Sequence, residues 1–220
     1  MTSRARLWLP LLLCATACSS TPPRRIYVLT PPIDWAAQPT TTRSSPGDLL
    51  ATKQRLEVRR ILVPDYLDST DILMRSGSNE VKASTTGRWG ERLSLGLTHA
   101  VGADMALRMP HYSIVQDAYS SNTQRQLRIT ITALDLWQNG RCVLSAHWSI
   151  VDQDSSLPVT SGSGTFDSPN AGATTTVTDA SLVEAVGRTL GKLADSIVSD
   201  AQASPERAAL DGGSKISTGD

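Results

Sequence analysis

A chain of 220 residues with 40% hydrophobic and 19% charged residues carries apolar material for one ordinary domain plus tails. Its 21 Lys and Arg balance 21 Asp and Glu, which argues against a polyanion partner, and the composition excludes collagen-like and wholly disordered chains. There are three cysteines, Cys14, Cys18 and Cys142, two of them near the start.

In chain order, Arg4 and Arg6 form a positive segment, Leu7 to Leu13 an apolar one, and Ala15-Thr16-Ala17 a small-residue cleavage site, the pattern of an exported precursor. The apolar run is about eleven residues, and spanning a bilayer takes ~20, so residues 1–17 read as a signal peptide rather than a transmembrane helix. Ala15-Thr16-Ala17-Cys18 resembles a bacterial lipobox, in which the cysteine at the new N-terminus is acylated. Ordinary cleavage after Ala17 is the alternative, since Ala-x-Ala serves it as well. Acylation would take Cys18 out of disulfide chemistry and fix the chain to a membrane, because two or more acyl chains hold where one binds only reversibly. Ser19 stands where, by resemblance to enteric lipoproteins, Asp would retain the protein at the inner membrane, so the periplasmic face of the outer membrane is the expected address.

Residues 18–25 form a tether, with Pro22-Pro23 favouring extended geometry. Ile26 to Leu29 reads as a first strand, and Thr30 to Ala51, without apolar period, as a loop. Leu56 to Val63 reads as a buried strand stopped by Pro64, Ile72 to Met74 as a strand piece, and Asn79 to Ser84 as an edge strand. Trp89, Leu93, Leu97, Val101 and Met105 recur at helical spacing, predicting a helix from Trp89 to about Met109, ended by Pro110. A short strand follows over Tyr112 to Gln116. Leu127, Ile129 and Ile131 alternate with polar residues, and Asn139-Gly140 turns this strand back into Cys142 to Val151 as a hairpin. A further strand is expected near Val159 to Phe166. Ser181 and Glu184 have capping-box spacing before a second amphipathic helix reaching Val198. Residues 26–202 are the expected domain and 203–220 a disordered tail. The fold class is α+β, a single domain with a mostly antiparallel sheet and two amphipathic helices on one face.

The chain carries no recognisable catalytic or cofactor motif. His99, His111 and His147 lack ligand spacing, so no metal is expected. Asp65, Asp68 and Asp71 read better as turn formers than as calcium ligands, and Asp152-Gln153-Asp154 lacks the rest of an EF-hand loop. Gly162-Ser163-Gly164 is not a nucleophile elbow, and no phosphate-cradling loop is present. Gly187 and Gly191 fit close packing onto the sheet or a neighbouring subunit better than a membrane dimer. Cys142 reads as a small buried hydrophobe.

The segments ACSSTPPRRIYVLTPP, ILVPDYLDSTDILMRSGSNEVKAS, GRWGERLSLGLTHAV and SLVEAVGRTLGKLADSI together resemble the PqiC-type ABC-transport auxiliary lipoproteins, up to about Asp200. The most specific stretch is Val63-Pro64-x-Tyr66-Leu67-Asp68 with Ile72-x-x-Arg75 and Arg88-Trp89-x-Glu91. The chain departs from the pattern at Ser69, where Arg is frequent, and at Arg92, where Pro is usual. The resemblance implies a non-enzymatic outer-membrane lipoprotein without cofactor, partnering a periplasm-spanning MCE-domain protein (PqiB-like) in intermembrane lipid transport, and possible homo-oligomers. Tyr66, Leu67 and Asp68, after Pro64, are the candidate partner contacts, with Trp89 assigned to the core. An alternative is a lipid-binding module carrying a hydrophobic ligand in a groove between helices and sheet.

Overall fold

The Asn139-Gly140 turn closes the longest ladder in the protein. Gly140 takes φ 84°, the left-handed conformation that glycine adopts without steric cost, and its N–H donates to the Trp137 carbonyl at 2.9 Å. A computed structural model describes residues 23–29, 54–116, 125–152, 158–169 and 177–212. The signal segment, Cys18 and most of the tether lie outside the described residues, as do the whole of the expected 30–51 loop and the Gln153-Asp154 pair.

The strands are β1 (Arg25–Tyr27), β2 (Gln54–Val58), β3 (Asp71–Arg75), β4 (Val81–Trp89), β5 (Tyr112–Gln116), β6 (Arg125–Leu136), β7 (Cys142–Asp152) and β8 (Pro158–Ser168). The helices are α1 (Leu93–Arg108) and α2 (Asp179–Gly212). They build one α+β domain with two sheets, a five-stranded one in the order β5-β2-β6-β7-β8 and a three-stranded one in the order β1-β4-β3. Both are mixed: the long β6–β7 and β7–β8 ladders and the β3–β4 pair are antiparallel, as expected, and parallel pairs are added at β1 and β2. β2 runs parallel to both β5 and β6, and β1 parallel to β4. The reason is the crossover: after β2 the chain passes through β3, β4 and α1 before returning beside it, and a return through a helix delivers a strand in the same direction.

Alternation places Leu127, Ile129 and Ile131 of β6 and Leu144, Ala146, Trp148 and Ile150 of β7 on the dry face of the large sheet. α2 lies across β7 and β8, and α1 packs on β5 and α2. Leu97, Val101 and Met105 of α1 and Leu190, Leu193 and Ile197 of α2 complete one continuous core. The opposite face, with Arg128, Thr130 and His147, is exposed.

Several boundaries differ from the sequence expectation: the segment expected as an edge strand, Asn79 to Ser84, enters β4, which runs on to Trp89 as the central strand of the small sheet because β1 and β3 pair on either side of it. α1 starts at Leu93 because Trp89 still belongs to β4, its N–H donating to the Thr70 carbonyl at 2.8 Å and its backbone in register with Tyr27. The α2 cap lies upstream of the predicted box. The Ser181 N–H donates to Thr178 Oγ1 (3.3 Å) while the Thr178 N–H donates to Ser181 Oγ (2.9 Å), so two orphan donors are satisfied reciprocally just before Asp179. The predicted Leu56 to Val63 strand is regular only to Val58. Beyond it the chain stays on β6 through Arg59 N–H to the Leu127 carbonyl and Leu62 N–H to the Ile129 carbonyl, both 3.0 Å, but turns Leu62 out to solvent. α2 itself continues to Gly212.

Candidate functional site

The turn after Pro64 is built by backbone geometry. The Leu67 N–H donates to the Pro64 carbonyl (2.9 Å) and the Asp68 N–H to the Asp65 carbonyl (3.2 Å), a single helical-type turn. This winding sends consecutive side chains in different directions. Leu67 enters the core at 4% exposure beside Trp89, Leu93 and Leu134, whereas Tyr66 remains 48% exposed.

Asp68 is occupied within the chain. α1 begins without a side-chain cap of its own, and Asp68 takes that position from the preceding turn, its Oδ1 accepting the Ser94 N–H at 3.1 Å. Arg92 donates to Asp68 Oδ2 (3.2 Å) and to its carbonyl (2.9 Å), and Arg60 Nη2 lies 3.7 Å from Oδ2. Arg92 thus brings a guanidinium to this turn. Burial pushes the Asp68 carboxyl up, but the hydrogen bonds from Ser94 and Arg92 together outweigh it and hold the group below its ordinary value.

A pH dependence follows from that direction. A carboxylate whose folded-state pKa is depressed adds stability that is present above its unfolded pKa of about 3.9 and lost as pH falls through the folded value. The wild-type protein should therefore exceed Asp68→Asn in stability by about 1 kcal/mol above pH ~5. In urea melts across pH, the gap should close below about pH 4; a gap independent of pH would mean that the charge is not what caps α1.

Of Tyr66, Leu67 and Asp68, all on one turn, Tyr66 is the side chain that a partner can reach. A second surface feature is a cleft of about 420 Å³ between α1 and α2, lined by Val28, Leu29, Ala100, Val183 and Leu190. Gly187 opens onto it: a Cβ there would meet nothing within 4 Å, so this glycine does not serve close packing onto the sheet. Arg108 stands at the rim, paired with Asp104 (3.0 Å) and Asp195 (2.7 Å). The sequence reading also missed Ile26 and Val28, two exposed aliphatic residues on and just after β1; their alternation with Arg25 and Tyr27 was the available signal.

The remaining chemistry-bearing residues do not converge. His99 Nδ1 lies 3.0 Å from Glu91 Oε1 at the surface, and among the described residues no three His, Cys, Asp or Glu side chains could hold a metal ion. Cys142 is buried with its Sγ 3.4 Å from Thr189 Oγ1, and burial pushes its thiol up to about 11, as befits a core residue. No described helix is long and apolar enough to cross a membrane.

The model of the family described as the ABC-type transport auxiliary lipoprotein component matches residues 27–198, from β1 through both sheets and into α2. The chain belongs to this family. Two curated members are similar to it, the intermembrane transport lipoproteins PqiC of Escherichia coli K12 and of Shigella flexneri, each 24% identical over 149 residues, covering 68% of this chain and 72% of the relative. Among solved structures, protein XCC0632 from Xanthomonas campestris shares the fold with a TM-score of 0.59 at 13% identity, covering 72% of this chain and 89% of that one. An uncharacterized protein does so at 0.57 and 16% identity, covering 66% and 90%. The auxiliary lipoproteins are transport components and not an enzyme family.

Proposed function

We propose that this auxiliary lipoprotein is held by acyl chains on Cys18 at the periplasmic face of the outer membrane, where its 26–202 domain docks a periplasm-spanning, PqiB-like MCE-domain protein so that phospholipid can pass between membranes. Residues 18–25 are the tether. The lipobox-like Ala-x-Ala-Cys, the Ser19 that follows it, the family match and the likeness to PqiC support this reading. The observation that carries the docking site is Tyr66. It stands out from a turn pinned on one side by the buried Leu67 and on the other by Asp68, so an aromatic ring is presented with little ordering left to do on binding.

Capture of the MCE partner by immobilised lipoprotein tests it. Tyr66→Ala should weaken capture about tenfold or more, the scale of an aromatic hot spot, with the melting temperature unchanged. Undiminished capture rejects the contact. Leu67→Ala is unsuitable for this purpose, because it would empty a core position. The alternative, that the domain carries lipid itself, draws support from the apolar lining of the α1/α2 cleft. The spaces around Trp89, Leu93 and Leu67 are about 10 Å³ each and have no room for an acyl chain, so a carried lipid would have to lie in that cleft; the likeness to PqiC favours the docking reading.

A further inference from the structure

The tether sets which side of the domain meets the bilayer, an inference that rests on the Cys18 anchor proposed above. From Cys18 to Ile26 is eight peptide steps, about 28 Å at full extension. A compact domain of this size is roughly 40 Å across. The surface around β1 is thus held near the membrane, and the far face of the large sheet is not.

That surface has an unusual composition for an edge strand. Ile26 on β1 is 61% exposed and Val28, just past the strand at the mouth of the α1/α2 cleft, is 60% exposed, whereas Tyr27 between them packs inward. A Cβ on Gly90 would lie 2.9 Å from Val28 Cγ1 and 3.2 Å from Ile26 Cγ2, so both aliphatic side chains close over this glycine and form one ridge. Exposed guanidinium groups surround it. Arg24 donates to Asp71 Oδ1 at 3.2 Å; Arg88, the register partner of Ile26, and Arg25 have no ion-pair partner among the described residues.

We propose that this edge is a membrane-contact surface, with Ile26 and Val28 entering the interfacial layer of an anionic bilayer and Arg24, Arg25 and Arg88 set against lipid phosphates. Aliphatic side chains flanked by arginines are the chemistry of interfacial binding, and the tether supplies the proximity that so small a patch needs. The consequence is a fixed orientation: the small sheet faces the lipid, and the bare face of the large sheet faces away from it.

The experiment uses the full lipidated protein in vesicles of phosphatidylethanolamine and phosphatidylglycerol. Ile26→Cys is labelled with an environment-sensitive fluorophore, and Ser163→Cys on the bare face of the large sheet serves as reference. Acylation blocks Cys18 and burial protects Cys142, so each variant labels at one site. The label at 26 should brighten severalfold on reconstitution and be quenched by brominated lipid, while that at 163 changes little. A protein that floats with vesicles but keeps a water-like signal at 26 overturns the proposal and leaves the anchor standing. An apolar signal that brominated lipid does not quench overturns it as well, since protein then covers the ridge. A protein that does not float removes the tether, and the proposal with it.

Discussion

Cys18→Ser is expected to move the protein from the membrane fraction to the soluble periplasmic fraction completely. Each buried methylene contributes about 0.8 kcal/mol, so one acyl chain binds reversibly and two or more bind for the lifetime of the protein. Serine cannot form the thioether that carries the diacylglycerol, and no described helix could replace the anchor. Fractionation of wild-type and variant on a density gradient measures this directly, and it separates inner from outer membrane in the same run. If ordinary cleavage after Ala17 were correct, wild-type and Cys18→Ser would both be soluble, and the anchor would have to be abandoned.

Gly162→Val is expected to destabilise the domain by about 3 kcal/mol, combining an overpacking cost with a lost hydrogen bond. Gly162 is in register with Trp148 across the β7–β8 pair, and the indole lies over it. A Cβ at this position would sit 2.5 Å from Trp148 Cζ2 and would also overlap the Asp200 carboxylate, to which Trp148 Nε1 donates at 3.0 Å. The indole must therefore leave both its place over the glycine and its hydrogen bond to α2. At this chain length the melting temperature should fall by roughly 6–12 °C. Gly187→Ala is the control, because its Cβ meets no atom within 4 Å and alanine is the better helix former, and it should stabilise by about 0.5–1 kcal/mol. A Gly162→Val protein melting with the wild type would show that the Trp148 ring does not depend on this glycine.

Local elements were legible wherever periodicity and turn chemistry agreed. The alternation of Leu127, Ile129 and Ile131, with Asn139-Gly140 between the strands, marks the β6–β7 hairpin, and the structure places it there. The apolar spacing of both helices likewise identifies their buried faces. The errors came where a residue's neighbours are distant in the chain. Trp89 fits a helical period with Leu93, yet its backbone is claimed by β1 and by Thr70, so it ends a strand. The Ser181 and Glu184 spacing was a sound capping signal, but Thr178, three residues earlier, holds the geometry.

The candidate site divides in the same way. Tyr66-Leu67-Asp68 was marked as a unit by its motif, and nothing within the motif says that one of the three is buried, one caps a helix 26 residues away and one is free to face a partner. What the sequence by itself determined is the α+β class, the resemblance that the family match bears out, the periodic faces of strands and helices, and the expectation of an anchor at Cys18; each rests on residues within a few positions of one another. Only the tertiary structure decided that β2 lies parallel between β5 and β6, that Leu67 turns inward, and that Ile26 and Val28 remain outside over Gly90. Strand order and side-chain burial are settled by packing between segments far apart in the chain, and local propensity does not encode that competition.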